Sequence, residues 1–377
     1  MNPASEPQFD GSVLRRWSIG LMIAGLAALA LGAAFSAERL WGNLLLASVL
    51  LAGLGVGGAF FLAFHGVTGA RWSIPLLPAA RQLTATLPLT AAAAGVVAVA
   101  GLFFYPWAHG EAAHGATFWF KNAWLSPGFF VGRTVAYVVV WALVARWLVS
   151  TRSQAGVGRS ALALVVLGLS VSFAGFDWIM SLEPLWFSTM FGVYQFAGVF
   201  ASALAALVVF TAWLKRSGAG CADVGEKQLH DLGKLLFGFS CFWMYIWFSQ
   251  YMLIWYVNIP EESVYFIRRT QGLWWPVTLL NLALNWGIPF FALLPRPAKR
   301  SWRVMVRISL VILFGRWLDL YLMILPPLSG PYPACGFAEL GGLLLVSGLL
   351  LRVVTTGPCP VSVALSNLQS DPAAAVG

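Results

Sequence analysis

The chain is short of charge. Only 10% of its 377 residues are Asp, Glu, Lys or Arg, against roughly 25% in a soluble domain, so it cannot cover a water-facing surface of the size its length demands. Acids are scarcest, 14 against 23 Lys and Arg, which leaves a formal charge of +9. Histidine and cysteine are equally thin, at four each. Cys221, Cys241, Cys335 and Cys359 form no CxxC and no spacing that grips zinc or an iron–sulfur cluster. His65, His109, His114 and His230 are dispersed, with no pair placed inside facing spans as axial haem ligands must be. The chain is therefore expected to bind no metal and no redox cofactor itself. Its positive balance comes without a basic stripe interleaved with aromatics and without a recognition module, so nucleic acid is not expected as a partner.

What remains is apolar. Hydrophobic residues make up 59% of the chain and the mean hydropathy is +0.79. Windows of about 20 apolar residues recur between short segments holding most of the Lys and Arg, the pattern of an all-α polytopic membrane protein. Ten spans are expected: Trp17 to Phe35, Leu40 to Phe64, Leu83 to Phe104, Phe129 to Val149, Ala161 to Met180, Trp186 to Leu214, Leu232 to Val257, Gly272 to Leu294, Val304 to Leu325 and Phe337 to Val354. Arg15 and Arg16 precede the first, but it runs past Phe35 without a convincing cleavage site, so it reads as a retained helix. The frame is a tail over 1–16, a transmembrane domain over 17–355, and a tail over 356–377 that is rich in Ser, Pro and Ala and is expected to be disordered.

Ten spans put both ends on one side. Of the 23 basic residues, 17 fall on that side and only Arg39, Lys121, Arg133, Arg268, Arg269 and Arg316 on the other. The positive-inside rule then predicts cytoplasmic termini. Trp17, Trp72, Trp147, Trp213 and Trp302 fall at inner ends, and Trp41, Trp107, Trp124, Trp274 and Trp275 at outer ends, as two aromatic belts would require.

Ionisable groups inside spans cost roughly 2.5–3.5 kcal/mol each to insert. Asp177, Glu183, Asp319 and Glu339 all fall in the outer half or at the outer interface. Asp319 lies about 22 Å along its helix from Val304, and Arg316 three residues before it shares its face, so the two can pair. That pair either only neutralises itself or handles protons. Asp177 has no cation close in sequence, which makes it the preferred proton relay; the plainer reading is an interfacial carboxylate serving the turn SLEP, where Pro184 frees backbone groups for Ser181 and Glu183 to satisfy. His65 ends the second span, as an inner proton inlet or as an ordinary interfacial histidine. His109, Glu111 and His114 read as surface loop residues rather than metal ligands. The segment closing the seventh span concentrates Gln250, Asn258, Glu261, Glu262, Arg268 and Arg269 on the outer side, either as a solvated loop or as a docking surface for an outer-face subunit.

Two runs go further. FDWIMSLEPLWFSTMFGVYQFAG, Phe176 to Gly198, and FSQYMLIWYVNIPEESVYFIRR, Phe248 to Arg269, resemble the ActF-type membrane subunit of alternative complex III, a bacterial quinol:cytochrome c oxidoreductase, and FHGVTGARWSIPL, Phe64 to Leu76, looks like that family's second-span exit. The family is related to the NrfD-like polysulfide-reductase membrane subunits. The resemblance implies two four-helix bundles, spans two to five and six to nine, flanked by the first and last helices. It implies a sibling NrfD-like membrane subunit to which the quinol site is usually assigned, with iron–sulfur and multihaem cytochrome c subunits on the outer face, carrying the iron–sulfur clusters and haem c. This chain is then a subunit without a redox centre that supports quinol oxidation and proton translocation, with quinol and membrane lipid as its candidate ligands. Two other classes compete: a proton-coupled secondary transporter using Asp177, Asp319 and Arg316 near the midplane, and a purely structural anchor. Transporters break their helices around a central site, whereas the Pro and Gly here cluster near span ends.

Overall fold

A computed structural model describes residues 11–109, 119–150, 156–218 and 220–356. Among them the chain is helical and has no strand. In order come α1 (Gly11–Ala33), α2 (Ala37–Thr68), a 3-10 turn (Arg71–Leu76), α3 (Leu77–Ala85), α4 (Leu87–Ala100), α5 (Trp119–Trp124), α6 (Pro127–Ser150), α7 (Val157–Trp178) and α8 (Met190–Arg216). Then follow α9 (Glu226–Val257), α10 (Pro260–Thr270), α11 (Trp274–Leu282), a π-helical turn (Ala283–Gly287), α12 (Ile288–Leu293), α13 (Trp302–Ile324), α14 (Pro326–Ser329) and α15 (Phe337–Thr356). Nine helical segments among the described residues are long and apolar enough to cross a membrane. The chain is thus an all-α, multi-pass membrane protein. α13, also 23 residues long, is kept out of that set by Arg303, Arg307, Arg316 and Asp319.

The expected boundaries shift where local chemistry is stronger than hydropathy. The third span starts at Leu77 rather than Leu83 and is broken at Thr86, because Pro88 cannot donate to the preceding turn. The sixth starts at Met190, not Trp186: Pro184 and the residues after it leave the helix, and Trp186 lies flat on Tyr265 at 3.9 Å instead. The seventh reaches back to Glu226, two polar turns before its apolar run. The tail over 356–377 lies outside the described residues apart from Thr356, which ends α15.

Two helices form the centre. α2 and α8 are buried along most of their length and run parallel, Gly53 and Gly57 of α2 against Val199 and Ala203 of α8. Small residues allow this because helices in lipid associate by close packing rather than by expelling water. α3, α4, α6 and α7 surround α2, α9 and α13 pack on α8, and α12 and the π-turn pack on α9 and α13. α7 also touches α8, and α13 touches α2.

α1 packs chiefly on α15, antiparallel, through a seam of glycines at heptad spacing: Gly25 faces Leu345, Gly32 faces Ala338, and Gly348 faces Met22. The start of α1 and the end of α15 therefore share one end of the molecule, called here the terminal end, and the opposite one the far end. A Cβ at Gly25 would stand 2.6 Å from the backbone nitrogen of Leu345. Gly25→Val is accordingly expected to cost about 1–3 kcal/mol of stability, the range for overpacking, read as a lower melting temperature in detergent.

Candidate functional site

All four acids singled out in the sequence lie toward the far end, and each is held by at least one arginine; Asp177, Asp319 and Glu339 also accept from neutral donors. Asp177, fully buried in the last turn of α7, accepts from Arg133 Nε and Nη2, both at 2.8 Å, from Tyr137 OH at 2.7 Å and from Trp124 Nε1 at 2.8 Å. Arg133 and Tyr137 are one turn apart on α6, so one face presents both. The guanidinium lies 4.0 Å from the Trp124 ring centre and 4.4 Å from that of Phe129, a cation–π clamp. The cation that the local sequence around Asp177 lacks is thus Arg133, 44 residues away. The carboxylate does not serve the SLEP turn. That task falls to Ser181, whose hydroxyl donates to the Asp177 carbonyl.

Asp319 anchors the second cluster. Arg316 Nη1 donates to its Oδ2 at 2.5 Å, so the pair expected from their spacing is present, and both are almost wholly buried. Three more helices contribute: Tyr194 OH from α8, Trp243 Nε1 from α9 at 3.3 Å, and Asn281 Nδ2 from α11 at 3.2 Å. Arg316 Nη2 reaches Gln195 Oε1 at 2.7 Å, and its guanidinium lies against Gly198, where a Cβ would collide with it. Asn281 accepts from Asn285 Nδ2 at 2.7 Å. Asn285 sits in the π-turn, where the ladder is interrupted ahead of Pro289; its carbonyl accepts from Ser240. The break is mid-span and beside a buried charge, unlike the expected clustering of breaks near span ends.

A cavity of about 20 Å³, room for a water molecule, joins Asp319 and Tyr194 to Gln250, Thr278 and Arg269. Gln250 lines it with its Nε2 buried and unpartnered. The Asp177 oxygens receive four bonds, as do those of Asp319.

Above that cavity Glu183 binds Arg269 at 2.6 Å and Arg268 at 3.2 Å. Arg269 also donates to the carbonyls of Leu322, Tyr265 and Met323 and stacks 3.5 Å over Tyr265. α10, which carries both arginines in its last turn and Glu261 and Glu262 in its first, lies amphipathically at this end. Of the expected docking residues, Asn258 and Glu261 are exposed, and Glu262 and Arg268 partly so. Arg269 is a correction: only 5% exposed, it is consumed by the interior ion pair and offers no surface. Glu339 closes the set, accepting from Arg39 Nη2 at 2.7 Å, Asn43 Nδ2 at 3.1 Å and the Gly336 N–H at 2.8 Å.

At the terminal end His65 is buried and its Nδ1 meets Ser73 Oγ at 2.7 Å. Since Ser73 already donates to the Ala70 carbonyl, Nδ1 is the donor and Nε2, which has no partner, is the bare acceptor. The His65 ring is more than 20 residues of helix from Asn43 and so is not brought to the acids. His109 is exposed and touches the Phe103 carbonyl; Glu111 and His114 lie outside the described residues. Among the described residues no three His, Cys, Asp or Glu are grouped as metal ligands.

Sequence reading misses Arg133, Tyr137, Tyr194, Gln195, Trp243, Asn281 and Asn285. One signal points to the cations. Of the six basic residues on the minority side of the charge count, Arg39, Arg133, Arg268, Arg269 and Arg316 each pair with one of the four acids, and the sixth, Lys121, has a side chain outside the description. No family model and no curated protein matches the chain.

Proposed function

We propose that the chain is an integral membrane subunit of a bacterial quinol:cytochrome c, or quinol:acceptor, oxidoreductase complex, with no redox centre of its own, and that it supports quinol oxidation by moving protons. One observation carries the reading: the two runs that resemble the alternative complex III subunit fold against each other. Glu183 of the first holds Arg268 and Arg269 of the second, Trp186 stacks on Tyr265, and Trp186 Nε1 donates to the Glu262 carbonyl at 3.1 Å. In this reading α13 is the ninth of ten spans, α2 to α7 and α8 to α13 are the two four-helix bundles, and the far end faces outward toward iron–sulfur and multihaem subunits. Asp319 replaces Asp177 as the favoured proton-handling group because a water-sized cavity and the unpartnered Gln250 Nε2 lie beside it, which gives a proton carrier a place next to that carboxylate.

The test is purification of the tagged chain from its native membrane. Co-purification of multihaem and iron–sulfur subunits with quinol-dependent cytochrome c reduction is expected; their absence from a monodisperse preparation removes the proposal. The separated chain is expected to show no haem absorption bands. Topology is checked independently: reporters fused after Arg152, Gly218 and Lys299 are expected to read cytoplasmic, and those after His114 and Ser329 external, with outer activity at Gly218 refuting the ten-span map.

A second reading has one observation in its favour. The π-turn Ala283–Gly287 interrupts a span just after Asn281, through which its Asn285 is linked to Asp319, and irregular backbone next to buried charge is how secondary transporters build central sites. A proton-coupled transporter would purify alone and retain Asp319-dependent uptake in vesicles. The purely structural anchor would lose nothing when Asp319 is neutralised together with Arg316.

A further inference from the structure

A crevice of about 420 Å³ runs between the α1–α15 pair and the rest of the molecule, within the size range of ligand sites. Leu50 and Leu54 of α2 form its floor, Phe210 of α8 and Leu313 of α13 one wall, and Val346 and Leu350 of α15 the other. Five helices bound it, Leu14 supplying the contribution of α1, so it is an inlet into the protein rather than an ordinary lipid-facing side. On α13 its lining runs from Val306 to Trp317, about 16 Å along the helix axis. That is the reach of an extended hydrocarbon chain, not of a compact head group.

Its mouth is charged with one sign. Arg216, in the last turn of α8, lines it and is exposed. Arg303 of α13 is exposed one turn before Val306, on the same helix face, and Arg15 follows Leu14. No acid is among the lining residues. We propose that this crevice binds one anionic phospholipid from the leaflet at the terminal end, its acyl chain filling the inlet and its phosphate held by Arg216 and Arg303. Basic pockets between transmembrane helices take acidic lipid head groups in this way, and guanidinium forks match phosphate oxygens. The lipid would tie α1 and α15 to α8 and α13, across a gap that side chains leave unfilled. The inference is independent of the quinol reading, since it needs neither partner subunits nor any redox chemistry.

The full chain is reconstituted in nanodiscs of equal phosphatidylglycerol and phosphatidylcholine, released into the mass spectrometer, and its retained lipid identified. The wild type is expected to keep one phosphatidylglycerol, preferred roughly tenfold or more over phosphatidylcholine. R216Q/R303Q should abolish the preference while still retaining a lipid of either kind. Ala206→Trp, which fills the inlet from α8, should retain none; Leu310→Trp does the same from α13 and serves if the first variant fails to yield a monodisperse protein. No head-group preference in the wild type, a preference unchanged in R216Q/R303Q, a retained quinone in place of the lipid, or unaltered retention in both Trp variants would each overturn the proposal.

Discussion

Asp319→Asn is expected to cost about 3–5 kcal/mol of stability, the penalty for leaving one member of a buried ion pair without its partner. Arg316 is 2% exposed, and after the change its side-chain acceptors are neutral amide oxygens alone, with no countercharge. Its guanidinium cannot turn toward the membrane face of α8 without leaving the space that Gly198 provides. Folded yield after solubilisation should therefore fall sharply. Removing the stranded charge as well, in the double variant Asp319→Asn with Arg316→Gln, should recover most of it, because the two substitutions are coupled through one contact. That recovered protein is the useful one for function. If Asp319 carries protons, quinol-driven proton release stays low in a chain that assembles normally; full proton release in the double variant would reduce the pair to a structural device.

Arg133→Gln should be comparably damaging, again about 3–5 kcal/mol, by the opposite sign of charge. It leaves a buried carboxylate with Tyr137 and Trp124 alone, two neutral donors where a two-pronged cation stood. Arg133→Lys discriminates between charge and shape. An ammonium restores the charge but cannot donate in parallel to both oxygens or lie flat between Trp124 and Phe129, so an intermediate loss is expected. Thermal melts followed by gel filtration would rank the three proteins; a lysine variant as stable as the wild type would show that charge alone matters there.

These clusters mark where sequence reasoning stops. Span positions were legible because apolar windows and turn residues are local, and Arg316 with Asp319 was legible because three residues is one helical turn. Arg133 and Asp177 come from different helices, as do Glu183 and Arg269, 86 residues apart. No local periodicity encodes which helix meets which, so the sequence near Asp177 carries no sign of Arg133 as its partner. The same limit applies to Arg269, whose place in an outer charged segment suggested surface while its burial depends on carbonyls of α13. Asn281 and Asn285, one turn apart in an apolar stretch, were a readable hint, since two amides sharing a face inside a span need each other or a charge. The π-turn that presents Asn285 has no comparable signature.

The pairing of Arg39 with Glu339 spans 300 residues and so has a meaning in time. A ribosome adding about 5–20 residues per second delivers Glu339 roughly 15–60 s after Arg39, by which time α2 is already in place with its cation uncovered. The glycine seam of α1 waits for the same late arrival. α15 is thus the late partner of both, and a chain stalled before it would leave Arg39 without its carboxylate and α1 without its mate.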